Sequence, residues 1–151
     1  MTCTALGIDA PPDVVFATLT DVDGYPQWLV GAKYIRRISD GWPSPGSSFA
    51  HAVGFGPLTI KDRTTVIDHQ PPQVLVLLAG VGPLGSARVR FTVTADGDGG
   101  SHLSVEEEPA TGVLRALWNP VTRPLVAVGL WGRNAISLQS LRALAEDRAR
   151  A

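Results

Sequence analysis

The sequence predicts an α+β domain. In it, a curved seven-stranded antiparallel sheet wraps around one long C-terminal helix, and two short helices follow the first strand. Three observations predict this. Residues 111–151 read as a helix with a single apolar stripe. Six consecutive segments between residues 33 and 108 carry strand patterning and are separated by turn residues. One further strand pattern and two short helical patterns precede them.

The elements follow in order. In residues 2–9, Thr4, Leu6 and Ile8 share one face of a strand. Ala10-Pro11-Pro12-Asp13 opens a helix, because proline is tolerated in a first turn and an acidic group there suits the helix dipole. That helix, residues 13–20, sets Val15, Phe16 and Leu19 on one side, and Asp21-Val22-Asp23-Gly24 ends it. Residues 25–29 form a second helical turn bearing Tyr25 and Trp28. Residues 34–38 are the next strand, followed by a turn over 40–46. In residues 49–55, Phe49, His51, Val53 and Phe55 lie on one face. After the tight turn Gly56-Pro57, residues 58–68 form a long strand that Gln70-Pro71-Pro72 breaks. Residues 74–79 follow, then the loop 80–85. Ala87, Val89, Phe91 and Val93 alternate with Arg88, Arg90, Thr92 and Thr94, the pattern of a half-buried strand. Residues 96–100 have hairpin-turn composition. Beyond them Leu103, Val105 and Glu107 alternate with His102, Ser104, Glu106 and Glu108.

The terminal segment reads as one long helix, broken in its first half by Pro120 and Pro124 and regular over residues 133–146. Apolar residues at 125, 128, 135, 138, 141 and 145 form its stripe. A helix of about 30 residues would be roughly 45 Å long, enough to cross a small domain. The two prolines remove backbone donors. They predict either a kinked, mobile flap or a plain loop before a shorter helix. Strands joined by short turns are antiparallel neighbours, and alternation leaves one face dry. Only the terminal helix is long enough to cover that face.

Composition narrows the function classes. A chain of 151 residues is most simply one domain, 1–151, and needs no metal or disulfide staple. Net charge is −1 and no Lys/Arg cluster occurs, so nucleic-acid binding has no electrostatic footprint. A single cysteine, Cys3, excludes a disulfide framework and a cysteine-based zinc site. His51, His69 and His102 lie in different strands without metal-ligand spacing, so no metal is expected. No phosphate loop or nucleophile elbow occurs, and no cofactor is expected. No signal-peptide pattern is present, and arginines at 115 and 123 interrupt the most apolar stretch, so a cytoplasmic chain without a membrane span is expected.

Several stretches resemble the START-like superfamily, the Bet v 1 or polyketide cyclase/dehydrase-like group. They are Ile8-Asp9-Ala10-Pro11-Pro12-Asp13-Val14-Val15-Phe16 followed by Asp21 and Tyr25-Pro26-Gln27-Trp28, then Gly46-Ser47-Ser48-Phe49, Val66-Ile67-Asp68-His69-Gln70-Pro71-Pro72, and the closing Arg133-Asn134-Ala135-Ile136-Ser137-Leu138-Gln139-Ser140-Leu141-Arg142. The resemblance covers nearly the whole chain and implies the helix-grip fold, with a deep apolar cavity between sheet and helix. Lipid and hormone binders, aromatase/cyclases, co-chaperones and oxygenase subunits share that fold, so it does not by itself choose a function.

Against that background a few side chains stand out. His51 shares its face with Phe49, Val53 and Phe55, and could shuttle a proton or be a packed, satisfied histidine. Asp62 interrupts the apolar face of Leu58, Ile60, Thr64 and Val66. It points inward if the register holds, and a bulge would put Arg63 there instead. Glu107 has the inward parity of Leu103 and Val105. Three glutamates in succession before Pro109 instead suggest a strand end at a solvated rim. Trp28, Trp118 and Trp131 are large amphipathic rings near the expected cavity mouth, or ordinary packing residues. The candidate catalytic set is therefore His51, Asp62 and Glu107. The candidate ligand-binding set is Trp28, Phe49, Phe55, Val89, Phe91, Trp118, Leu125 and Val128. The expected partner is an apolar small molecule, on a monomer or homodimer. Binding of a lipid-, polyketide- or aromatic-like molecule is the leading reading. A cyclase or dehydratase, and a protein-interaction module, are the alternatives.

Overall fold

Alternation in the strands and the apolar stripe of the last helix fold together as expected. A computed structural model describes residues 2–28, 32–55, 57–80, 82–117 and 119–151, with side chains described at all of these except 2, 32, 53–55, 58, 84, 114, 117, 123 and 125–134. The chain runs β1 (Thr2–Ile8), α1 (Pro12–Thr20), a 3-10 turn (Val22–Gly24), α2 (Tyr25–Trp28), β2 (Ala32–Arg36), β3 (Ser48–Phe55), β4 (Leu58–Gln70) and β5 (Val74–Gly80). It continues through a second 3-10 turn (Gly82–Leu84), β6 (Ser86–Ala95), β7 (Ser101–Thr111), α3 (Gly112–Leu117) and α4 (Arg123–Arg150). The strands form one seven-stranded sheet in the order β1-β7-β6-β5-β4-β3-β2. Every neighbouring pair is antiparallel. The fold is the helix-grip arrangement of the Bet v 1-like class.

Register places the side chains in rows across the inner face. One row runs Thr4, Val105, Phe91, Leu75 from β1 to β5. The next runs Glu107, Val89, Leu77, Val66 from β7 to β4. Most of these residues are in the core, together with Phe49, Val93 and Leu103. On the outer face Arg88 stands opposite Glu108, and Arg90 opposite Glu106. Opposite charges directly across a strand pair favour pairing. This accounts for β7 continuing through its three glutamates to Thr111 rather than ending at a wet rim: the flanking two face arginines outside, and Glu107 turns in.

Strand β4 carries a register shift between Val66 and Asp68. The shift lies beyond Asp62, so it leaves the parity of residues 60–66 intact. Ile67 is exposed there, and the next inner residue, His69, stacks on Phe16 of α1 at 5.6 Å.

The terminal segment is two helices rather than one. Asn119 explains the break. Its Nδ2 donates to the Ala116 carbonyl at the end of α3 (3.1 Å), and its Oδ1 accepts from the backbone N–H of Val121 (2.9 Å) and Thr122 (3.1 Å). Asx turns of this kind compete with helix continuation. Pro124 then falls in the first turn of α4, where its missing N–H costs nothing. The 28 residues of α4 span about 42 Å. Leu138, Leu141 and Ala145 of its stripe are buried in the core, and α4 packs on β1, α1 and α2. Its far end is tied to α1: Arg148 donates to Asp21 at 2.6 Å and to the Thr18 hydroxyl at 3.4 Å.

Candidate functional site

On the inner side of the sheet, aromatic rings meet edge to face in a continuous run. Phe91 of β6 packs on Trp28 of α2 with centroids 6.4 Å apart. Trp28 packs on Tyr25 (5.3 Å), Tyr25 on Phe49 of β3 (5.4 Å), and Phe49 on His51 (6.0 Å). Trp42, from the loop after β2, adds a ring on Phe49 at 4.9 Å. Such T-shaped contacts are worth about 0.5–1.5 kcal/mol each beyond buried area, so the run is stiff. Hydrogen bonds fix its members further. Tyr25 donates its hydroxyl to the Leu19 carbonyl (2.6 Å), and the Trp42 indole N–H donates to the Thr20 carbonyl (2.8 Å). Burial, then the nearby Asp21 charge, pushes the Tyr25 phenol well above the usual tyrosine range.

His51 and Asp62 stand opposite each other on β3 and β4. His51 is buried. Its Nε2 lies 2.9 Å from the Gly80 carbonyl, and its Nδ1 lies 3.1 Å from the Thr64 hydroxyl. A carbonyl only accepts, so Nε2 carries the proton, and in the neutral ring Nδ1 accepts from Thr64. The Asp62 carboxylate accepts from the backbone N–H of Arg63 and of Gly82, both at 2.7 Å. Both side chains thus hold the connection between β5 and β6. Asp62 lies against Gly80 so closely that a Cβ there would sit 2.3 Å from its carboxyl carbon.

Glu107 is 2% exposed, enclosed on the inner face between β1 and β6. Its row meets β4 at Val66, so Asp62 lies three strands across and four residues along. The offset along the strand alone is roughly 13 Å. The sheet brings His51 and Asp62 together but holds Glu107 apart from them.

Of the ligand-binding set, Trp28, Phe49 and Phe91 are buried within the aromatic run, and Val89, opposite Glu107, is partly buried against the core. The side chains of Phe55, Leu125 and Val128, and all of Trp118, lie outside the described residues, as does the Trp131 side chain. Sequence reasoning gave no site role to Thr64, Tyr25, Trp42 or Thr4. For Thr64 and Thr4 inward parity was the available signal. Trp42 sits in an irregular loop whose local pattern carries none. Among the described residues no cluster of three or more His, Cys, Asp or Glu could hold a metal ion. No helix there is long and apolar enough to cross a membrane.

The sequence profile of a family described as polyketide cyclase/dehydrase and lipid transport matches residues 5–146. No curated protein sequence matches the chain. Among solved structures, the chain is similar to the Zhui aromatase/cyclase from a Streptomyces species, with 17% identity and a TM-score of 0.73 over 99% of this chain and 95% of that one. It is also similar to the di-domain ARO/CYC StfQ from the steffimycin biosynthetic pathway, with 14% identity and a TM-score of 0.74 over 99% of this chain and 51% of that one. A third similar structure, Ara h 8.0201, gives 16% identity and a TM-score of 0.68 over 95% of each chain. At these identities the likeness is one of fold.

Proposed function

The chain belongs to the polyketide cyclase/dehydrase and lipid transport family, and from that premise we propose that it binds a hydrophobic small molecule between the inner face of the sheet and α4. The molecule is lipid-, polyketide- or aromatic-like. The observation that carries this reading is the run of edge-to-face rings from Phe91 through Trp28 and Tyr25 to Phe49. Rigid aromatic side chains offer flat contact area at little entropic cost, which suits a flat or extended apolar guest. Trp28, Phe49, Phe55, Val89, Phe91, Trp118, Leu125 and Val128 are the proposed lining. His51 and Asp62 are proposed to shape the far end by anchoring Gly80 and Gly82.

Native mass spectrometry of the protein from its own source tests the reading directly. A co-purified small molecule is the expected result. A panel of aromatic and long-chain compounds should also raise the melting temperature, since a ligand at 100 times its Kd adds about 2.7 kcal/mol of stability. No retained molecule and no thermal shift across the panel would sink the proposal.

A cyclase or dehydratase acting on the same guest is the second reading, and the buried Glu107 favours it. A carboxylate held inside the fold can take a proton from a carbon beside a ligand carbonyl. His51, with both ring nitrogens engaged, would in this reading only support the connection at the opposite end of an extended ligand. Turnover by the wild type that Glu107→Gln abolishes, with ligand binding retained, would establish this reading. Equal product from both would remove it.

A further inference from the structure

The fold satisfies its buried hydroxyls and indoles with care. Ser101 donates to the Ala10 carbonyl at 2.7 Å, Thr64 pairs with His51, Tyr25 with Leu19, and Trp42 with Thr20. Two buried polar atoms break the pattern. Trp28 Nε1 and Thr4 Oγ1 have no hydrogen-bond partner among the described residues, though the two residues are only 4% and 8% exposed. A buried donor left unmet is costly, and native structures keep few of them. The two flank one row of the inner face. Thr4 stands opposite Val105, Val105 opposite Phe91, and Trp28 packs on Phe91.

Resting on the ligand-binding reading above, we infer that Trp28 and Thr4 are the orienting polar contacts of the site, binding an oxygen-bearing edge of the guest laid along the Thr4–Val105–Phe91 row. An indole N–H only donates, so the group it meets is an acceptor. The Thr4 hydroxyl both donates and accepts, so it serves a second oxygen or a hydroxyl. Val105 and Phe91 between them are apolar, so the rest of the guest there is a flat hydrocarbon. The guest's class is a planar, oxygenated ring system, bearing an acceptor such as a ketone, whose polar edge is held at β1 and α2.

The test uses two probes of one shape, fluorene and its ketone fluorenone, titrated into wild type, Trp28→Phe and Thr4→Val. Trp28→Phe keeps an aromatic ring and removes the donor. Fluorenone affinity should fall about five- to tenfold in Trp28→Phe, the loss of one ordinary hydrogen bond, while fluorene affinity stays within about twofold. Thr4→Val should show the same selectivity in smaller measure, and it carries the test alone if Trp28→Phe does not fold. Equal loss for both probes, or none, overturns the inference and leaves the binding reading standing. Failure of both probes to bind the wild type overturns the two together.

Discussion

His51 and Asp62, directly opposed on β3 and β4, grip the same short connection from two sides: His51 at the Gly80 carbonyl, Asp62 at the Gly82 N–H. A histidine–carboxylate pair on an inward face reads from sequence as acid–base machinery. Here each heteroatom that such chemistry would use already holds a backbone or hydroxyl partner.

Gly80→Ala should therefore destabilise the protein by about 1–3 kcal/mol, because the new methyl meets the short Asp62 side chain and must displace backbone or carboxylate. Urea denaturation checks it. In the Asp62→Ala background the same change should cost clearly less, a coupling that a double-mutant cycle reads directly. Additive effects would mean that the close approach carries no strain.

Thr64→Val removes the hydroxyl that meets His51 Nδ1 while keeping the shape. It should cost about 1–2 kcal/mol, since a buried ring nitrogen is left without its partner. Thr65→Val, on the opposite face of β4, serves as the control and should shift the urea midpoint much less.

Tyr25 predicts a loss of stability in alkali. Its phenol is held above the usual range by burial and by Asp21. The unfolded chain therefore loses this proton first, near pH 10. Stability from this group is complete below that pH and declines as pH rises above it. Tyr25→Phe, though less stable at neutral pH, should show a shallower decline between about pH 10 and the folded value. Parallel curves for wild type and Tyr25→Phe would contradict the assignment.

The two faces of α4 separate packing from surface effects. Leu141→Ala should cost about 2–5 kcal/mol, because the side chain is wholly buried against the core. Ile136→Ala, on the exposed side, should cost less than about 0.5 kcal/mol. Arg148→Ala, which breaks a partly exposed pair with Asp21, should lie between them at roughly 0.2–1 kcal/mol and lose its effect in high salt.

Much of the architecture was legible in the chain because it rests on local periodicity. The alternation of Ala87, Val89, Phe91 and Val93 with charged and hydroxyl residues defined β6 and its dry face. The same parity set His51 and Glu107 inward and left Asp62 and Arg63 as alternatives, between which the register chooses Asp62. The Asn119-Pro120 turn was half legible: the prolines announced an interruption, but the choice of a separate α3 came from the Asn119 side chain bridging both sides.

What only the tertiary structure decided is which inward polar groups meet. Periodicity assigns a face, and it carries no information on distance between strands far apart in the chain. The pairing of β1 with β7 joins residues 2–8 to 101–107. That contact gives Thr4 its place in the Val105–Phe91 row, and encloses Glu107 away from His51 and Asp62. The sequence by itself determined the elements, their faces and the apolar character of the interior, because each follows from a few neighbouring residues. The tertiary structure alone separated the satisfied polar groups, His51 and Asp62, from Trp28 and Thr4, because a hydrogen bond depends on where two distant segments come to lie.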